Sequence, residues 1–174
     1  MKYEIIDDFL SEQDYTHLND LLFFPNGDSK LLLRYSADVN GSSKPDQFYF
    51  ARIFVNNKVE EFEGSTAYID PIMYELKRRI NRKLLVSRAK LNLFTRTQTN
   101  IGMGMHVDLD DTNTYETIIY YVNDNNGGTR FGDGTFIEQK KNRALIIYGQ
   151  ELHESVTQTD TNIRVNINVN YWRV

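Results

Sequence analysis

The sequence predicts a mainly β fold of the α+β class, in which two helices pack on one side of a rolled antiparallel sheet. Two helical patterns lie in the first half of the chain, and short strand patterns separated by glycine turns fill the second half. Aromatic residues make up 13% of the chain and only three prolines occur, which favours β-structure. No linker or repeat divides the 174 residues, so we expect one domain over residues 1–174.

Both predicted helices have a capping signal and one apolar face. Ser11, with Asp14 three residues later, indicates the start of the first helix, and Pro25-Asn26-Gly27 indicates its end. The second helix begins near Asp70-Pro71. The apolar faces that should meet the sheet consist of Tyr15, Leu18, Leu21 and Leu22 in the first helix and Ile72, Leu76 and Ile80 in the second.

The predicted strands are short and are bounded by turn residues. From Leu84 onward the hydrophobic period changes to two, which is typical of a half-buried strand. Gly127-Gly128 and Gly132-Asp133-Gly134 are predicted to form turns. The other predicted strands are residues 3–6, 31–35, 48–56, 116–123, 129–131, 135–137, 143–148 and 163–172.

Composition excludes several classes of protein. The chain has no cysteine, so it has neither disulfides nor thiolate zinc sites. No stretch is long and apolar enough for a membrane span or a signal peptide, so we expect a cytoplasmic protein without membrane contact. The net charge of −4 gives no global attraction to nucleic acid.

A basic run between residues 77 and 90 is the local exception to this acidic balance. It contains seven basic residues and no acidic one, namely Lys77, Arg78, Arg79, Arg82, Lys83, Arg88 and Lys90. The favoured interpretation is the cationic end of a helix followed by a solvated strand edge. The alternative is a binding patch for an acidic partner.

His106-Val107-Asp108 places an imidazole and a carboxylate two residues apart. On an extended backbone such side chains point to the same face, where both can bind one ion. Two histidines and one carboxylate on one face of an octahedron form the ligand set of non-haem Fe(II) oxygenases, and His153 is the candidate for the second histidine. The motif alone is weak evidence, and without further context the favoured interpretation of His106 is a surface turn residue in the acidic run of Asp108, Asp110 and Asp111.

The last predicted strand alternates apolar and polar residues. Val165, Ile167, Val169 and Tyr171 share one face, and Arg164, Asn166, Asn168 and Asn170 share the other. Asparagine is a poor strand former, so three of them favour a polar cavity inside a barrel over a solvated face. Arg164 would pair there with a buried carboxylate. The alternative is an edge strand whose polar face meets water.

Taken in order, these motifs resemble the prolyl 4-hydroxylase-type 2-oxoglutarate/Fe(II) dioxygenases. The resemblance covers residues from about 84 to the end and is closest to the oxygen-sensing prolyl hydroxylases, and residues 5–11 are also similar to the start of such domains. The matching features are His106-Val107-Asp108, the strand ending in Tyr120-Tyr121-Val122-Asn123, Gly127-Gly128, His153 and Arg164.

The resemblance implies a double-stranded β-helix (jelly-roll) core and a dioxygenase that hydroxylates a substrate C–H bond while 2-oxoglutarate and O₂ become succinate and CO₂. It assigns Fe(II) to His106, Asp108 and His153. It assigns 2-oxoglutarate to Arg164 and Tyr121, with Asn166 and Asn168 facing the same cavity, and ascorbate is a possible requirement for turnover. For Tyr121 the alternative role is that of a core aromatic.

The chain departs from this family near position 96, where Phe94 to Gln98 lack the tyrosine that family members often carry. The third histidine, His17, is interpreted as a surface or packing residue. We expect a polypeptide substrate, hydroxylated at a prolyl residue, with the polar loop from Ser36 to Asp46 closing over it. The alternatives are a nucleobase or small-molecule oxygenase of the same fold, including one that binds nucleic acid through the basic run, or an inactive binding barrel.

Overall fold

The computed structural model describes residues 2–37, 47–108, 115–149 and 151–174. Most of the predicted loop from Ser36 to Asp46 lies outside the described residues, as do Asp110 and Asp111. The strands are β1 (Tyr3–Ile6), β2 (Arg34–Ser36), β3 (Tyr49–Asn56), β4 (Val59–Glu60), β5 (Leu84–Thr95), β6 (Glu116–Tyr121), β7 (Gly128–Phe131), β8 (Phe136–Glu138), β9 (Arg143–Tyr148), β10 (His153–Val156) and β11 (Ile163–Arg173). The helices are α1 (Glu12–Leu22) and α2 (Asp70–Ile80), with a short 3-10 helix at Ser65–Tyr68.

Two antiparallel sheets form the jelly-roll core, which confirms the predicted fold class. The larger sheet has the strand order β1-β9-β6-β11-β5-β3-β2, and β4 pairs with β3. The smaller sheet has the order β10-β7-β8. Isolated bridges join Gly102 to Val156 and His106 to His153, so the segment before Asp108 lies along the edge of the smaller sheet.

Both helices pack on one face of the larger sheet, as the sequence predicts. Ser11 caps α1 by accepting a hydrogen bond from the Asp14 amide at 3.1 Å, and Asn81 ends α2 in the left-handed conformation with φ of 53°. The main apolar cluster joins Leu18, Leu22, Ile72 and Leu76 to the helix-facing side chains of the sheet. Neither described helix has the length and apolarity to cross a membrane.

Strand β11 is central in the larger sheet, between β5 and β6. The apolar face of β11, with Val165, Ile167 and Val169, is buried against the helices. The edge-strand alternative is therefore wrong, and the polar face of β11 points into the barrel.

The solvated strand edge predicted for the end of the basic run is also wrong. Strand β5 has neighbours on both sides, and Ala89 and Leu91 face the helices. The alternating residues Arg88 and Lys90 consequently lie on the barrel side. Only the first part of the run, in the last turn of α2, has the expected role at a helix C-terminus.

Gly127-Gly128 does not form the predicted turn, and neither glycine has a left-handed backbone conformation. Gly128 lies in β7, and a Cβ atom there would lie 2.1 Å from the Ile137 carbonyl oxygen of β8. A Cβ at Gly127 would lie 2.8 Å from the Val156 carbonyl oxygen. Both positions are glycine because neighbouring backbone approaches closely, whereas Gly134, with φ of +88°, is a true turn glycine.

Two strands of the structure were not predicted from the sequence, and a third lies at a shifted position. Strand β10 was not predicted, because it has only four residues and no extended alternation. The strand predicted at 31–35 is β2 at Arg34–Ser36, since Leu31 and Leu33 pack against the main apolar cluster outside the ladder. The short β4 was also missed.

Candidate metal centre and cavity

Three potential metal ligands from separate segments meet at one end of the barrel. His106 and Asp108 come from the segment after β5, and His153 begins β10. Their ligand-type atoms all lie within 4.8 Å of one another. Asp108 Oδ1 is 3.7 Å from His106 Nε2, and Asp108 Oδ2 is 3.8 Å from His153 Nε2.

The two imidazoles are held in the orientation that a metal ligand needs. His106 Nδ1 lies 3.1 Å from the Gly104 carbonyl oxygen, and His153 Nδ1 lies 2.8 Å from that of Glu151. A carbonyl only accepts, so each Nδ1 carries the proton and each Nε2 keeps a free lone pair. His153 Nε2 is buried and has no hydrogen-bond partner in the part of the chain that the structure describes.

The Asp108 carboxylate is fixed by two neutral donors. Thr117 Oγ1 donates to Asp108 Oδ2 at 2.8 Å, and Asn170 Nδ2 donates to the same oxygen at 3.1 Å. Burial opposes ionisation of Asp108, but the neighbouring imidazoles of His106 and His153 and the Thr117 hydroxyl outweigh burial, so the pKa of the carboxyl lies below its usual value. Asp108 is therefore the carboxylate anion at neutral pH.

These residues fit a divalent transition metal. Burial lowers the pKa of His153, which keeps its imidazole neutral, the form that ligates. A buried nitrogen without a partner is costly, and a cation placed between the three groups would satisfy it. Two imidazoles and one carboxylate match the donor set of a facial-triad iron site.

Glu154, next to His153, anchors the segment that carries His106. It accepts a hydrogen bond from the Gly104 amide at 2.9 Å and from Arg130 Nε at 2.8 Å. A Cβ atom at Gly102 would lie 2.5 Å from both Glu154 Oε2 and Arg130 Nη2, so a glycine leaves room for the ends of these two side chains. The sequence did not indicate this role, since a single Glu after a histidine has no distinctive spacing.

Arg164, at the start of β11, is fully buried in the barrel. One of its NH₂ groups donates to the Gly128 carbonyl oxygen at 2.9 Å, and its Cζ lies 4.9 Å from the Phe94 ring centroid. Its Nε has no hydrogen-bond partner among the described residues. Burial lowers the pKa of Arg164 to about 10, so the group stays charged at neutral pH. No described carboxylate pairs with it, so a buried cation has donor capacity left for an anion.

Of the other residues assigned to 2-oxoglutarate, Asn166 and Asn168 follow Arg164 on the same face of β11, and Tyr121 lies opposite Asn166 on the neighbouring β6. With its amide oxygen toward Arg164, Asn166 accepts from both NH₂ groups at 3.2 and 3.3 Å and donates to Asn168 Oδ1 at 2.9 Å. Tyr121 is fully buried and donates to Thr129 Oγ1 at 2.8 Å. Its ring also packs in an apolar cluster with Phe131, so packing accounts for part of its environment.

A cavity lies beside the two histidines and is lined by β3, β5 and β11. Tyr49, Lys90, Phe94 and Asn168 line it together with His106 and His153. Phe94 occupies the region in which the family tyrosine is missing, and the Tyr49 ring stacks on it with centroids 5.7 Å apart. Neither Tyr49 nor the position of Lys90 in this cavity was predicted from the sequence. The inward-facing alternation of β5 was the available signal for Lys90.

His17 is exposed on α1 and is not part of this site.

No protein-family model matches the sequence, and no curated protein matches it. Solved structures do match. An oxidoreductase of the 2OG-Fe(II) oxygenase family from Burkholderia pseudomallei has a TM-score of 0.72 at 10% identity, over 99% of this chain and 86% of that one. A prolyl hydroxylase from Trichoplax adhaerens, in complex with a peptide fragment of the hypoxia inducible factor oxygen degradation domain, has a TM-score of 0.64 at 12% identity, over 99% and 84%.

HygX from Streptomyces hygroscopicus, a structure with nickel and 2-oxoglutarate bound, has a TM-score of 0.59 at 10% identity, over 99% of this chain and 83% of that one. At these identities the likeness shows the fold. The chain therefore has the fold of 2OG-Fe(II) oxygenases.

Proposed function

We propose that this chain is a 2-oxoglutarate- and Fe(II)-dependent dioxygenase that hydroxylates a C–H bond of its substrate. The observation that carries the proposal is the convergence of His106, Asp108 and His153 in the barrel that also buries the Arg164 cation. When bound, Fe(II) with 2-oxoglutarate and O₂ supplies the oxidising chemistry, in which one oxygen atom enters the substrate and the other enters succinate, with release of CO₂.

The residues around the triad hold the ligands in place. The carbonyl oxygens of Gly104 and Glu151 fix both imidazoles with Nε2 directed toward Asp108. Thr117 and Asn170 fix the carboxylate, and Glu154 ties the His106 segment to β10. Such supporting hydrogen bonds orient ligands and raise metal affinity.

Arg164 binds the far carboxylate of 2-oxoglutarate in this proposal. Its guanidinium can donate two parallel hydrogen bonds to a carboxylate, and Tyr121 provides a hydroxyl nearby. Burial raises the pKa of Tyr121, so the hydroxyl stays protonated and able to donate. The apolar neighbours Phe94 and Ile119 exclude water from this part of the barrel.

Conversion of 2-oxoglutarate to succinate tests the reaction before the substrate is identified. The protein with Fe(II), ascorbate and 2-oxoglutarate should release succinate slowly, and His153→Ala should release none above background. The matched control is His17→Ala, which removes the exposed histidine and should match the unmodified protein. Equal succinate release by His153→Ala and the unmodified protein would contradict the proposal.

For the substrate, we favour a polypeptide hydroxylated at a prolyl residue. Support comes from the prolyl hydroxylase of the same fold that holds a peptide, and from a cavity between β2, β3 and β5 that shares Tyr49 and Lys90 with the cavity beside the histidines. An extended peptide can lie along such a face and present one C–H bond to the metal. A nucleobase substrate has less support, since Arg78 and Arg79 in the basic run pair with Glu75 on α2.

Mass spectrometry distinguishes these substrates. Candidate polypeptides and nucleic acids are incubated with the protein, Fe(II), 2-oxoglutarate and ascorbate, and we expect a gain of one oxygen atom on a prolyl residue. An oxygen gained only on nucleobases, or loss of a base methyl group, would replace the polypeptide with a nucleic-acid substrate.

A further inference from the structure

Lys90 is a cation inside the barrel that the proposed chemistry does not use. It lies on β5 between Ile53 of β3 and Asn168 of β11, and it lines the same cavity as His106 and His153. Its Nζ lies 5.5 Å from the centroid of the Tyr49 ring. Lys90 therefore faces the site, although it belongs to the same basic run of the sequence as the cations of α2.

No described carboxylate forms an ion pair with Lys90. Asp108 is the acidic group whose charge it senses, and Asp108 is already held by Thr117, Asn170 and the histidines. Burial lowers the pKa of Lys90, as expected for an ammonium group removed from water without a close counter-ion. Tyr49 is the polar side chain next to Lys90, but it is neutral, so an anion that arrives with a ligand would supply the missing negative charge.

A second cavity, of about 400 Å³, extends from Lys90 and Tyr49 toward the outer strands of the larger sheet. Arg88 and Arg34 line it further out, on the same face of β5 and β2, and neither forms an ion pair with a described carboxylate. Glu61 is the one acidic residue among the described lining residues. In a chain with a net charge of −4, this concentration of positive charge is local.

Arg164 and Lys90 are separate cations with separate positions. Arg164 on β11 lies directly opposite Phe94 on β5 and is covered by its ring. Lys90 is four residues nearer the start of β5, and its side chain lines the outer cavity. The far carboxylate of 2-oxoglutarate needs one cation. Lys90, which lines both cavities, is positioned to bind a negatively charged group on the substrate that is hydroxylated.

We propose that the substrate carries a carboxylate near the carbon that is hydroxylated, and that Lys90 binds this carboxylate with Arg88 and Arg34 leading to it. In a polypeptide the carboxylate is an acidic side chain close to the target residue, and a small carboxylic acid offers the same chemistry. The inference rests on the proposed function, whose site it extends.

Paired probes that differ only in one charge test this inference. One pool holds proline-centred pentapeptides, acetylated and amidated at their ends, with a single Glu at any flanking position, and its partner pool has Gln instead. A second pair is the α-methylamides of N-acetylglutamate and N-acetylglutamine, so the Glu side chain supplies the one carboxylate in each pair. Binding of the probes is measured on the protein loaded with Mn(II) and 2-oxoglutarate, because Mn(II) in place of Fe(II) prevents turnover. The measurement is then repeated on the protein without Mn(II) and without 2-oxoglutarate.

We expect the Glu pool to bind about ten- to a hundred-fold more tightly than the Gln pool, the range for a hydrogen-bonded charged group. Lys90→Met should remove this preference. Lys77→Met, which removes a cation of the same run on α2, should retain it. A preference confined to the N-acetyl pair would support the carboxylate site but assign it to a small acid, against the polypeptide substrate.

Equal binding within both pairs would overturn the inference, as would a preference that survives Lys90→Met. If Lys90→Met instead abolishes binding of 2-oxoglutarate, Lys90 belongs to the co-substrate and the inference is wrong. Titration of Mn(II) and 2-oxoglutarate on the same protein separates the two claims. If the unmodified protein binds neither Mn(II) nor 2-oxoglutarate, the proposed function is contradicted, independently of the result with the probes.

Discussion

Asn170 Nδ2 and Thr117 Oγ1 both donate to one oxygen of Asp108, which leaves the other oxygen facing His106. Removal of one donor frees the carboxylate to rotate. Asn170→Ala should therefore weaken Mn(II) binding about 10- to 100-fold, as for other residues that support metal ligands. Isothermal titration without 2-oxoglutarate measures this, and Asn168→Ala, on the same strand face but without contact to Asp108, is the control. Equal losses in both variants would contradict a specific role for Asn170.

Arg164 is the residue proposed to anchor the far carboxylate of 2-oxoglutarate. Arg164→Met keeps most of the side-chain volume but leaves the far carboxylate of 2-oxoglutarate unpaired in a buried pocket. The expected cost is about 2–5 kcal/mol, or roughly thirty- to several-thousand-fold in the Kd of 2-oxoglutarate measured on the Mn(II)-loaded protein. Mn(II) affinity should not change, because Arg164 contacts no ligand of the triad. Unchanged 2-oxoglutarate affinity in a folded variant would exclude Arg164 as the anchor.

At the scale of an element, the smaller sheet depends on the close approach of β7 and β8 at Gly128. Gly128→Ala places a methyl group against the Ile137 carbonyl oxygen, which is backbone and cannot turn away. We expect a loss of about 1–3 kcal/mol in the free energy of unfolding, the usual cost of overpacking. Gly132→Ala is the matched control, since its nearest contact, at 3.2 Å, is the flexible end of Leu152. Urea denaturation that shows equal losses would contradict the packing argument.

Elements with a long, regular pattern could be predicted from the sequence, and elements without one could not. The eleven-residue β11 alternates between apolar and polar residues throughout, so the sequence indicated both its position and its inward face. The four-residue β10 is too short for a period to be seen. The triad was accessible because His106 and Asp108 are neighbours and the chain has only three histidines.

Roles that depend on distant contacts remained hidden. Glu154 supports the site through the Gly104 amide, 50 positions earlier in the chain, and no local pattern marks such a pair. Lys90 belongs to a continuous basic run, and the run as a whole was interpreted as solvent-exposed. The fold instead divides the run between the surface of α2 and the interior of the barrel.

At the scale of the whole molecule, the jelly roll brings together groups that are far apart in sequence. His106 and His153 meet only because the segment before Asp108 bridges to β10, as their backbone hydrogen bonds of 2.8 and 3.0 Å show. Arg164 reaches the same barrel because β11 is the central strand of the larger sheet. We propose that these groups form one site that binds a metal and 2-oxoglutarate together.

The most direct test of this claim is a visible absorption titration under anaerobic conditions. Fe(II) and 2-oxoglutarate added together should give a charge-transfer band that neither gives alone. The band should persist in His17→Ala and disappear in both His106→Ala and His153→Ala, with folding of each variant checked by circular dichroism. A band retained by both His106→Ala and His153→Ala would contradict the account.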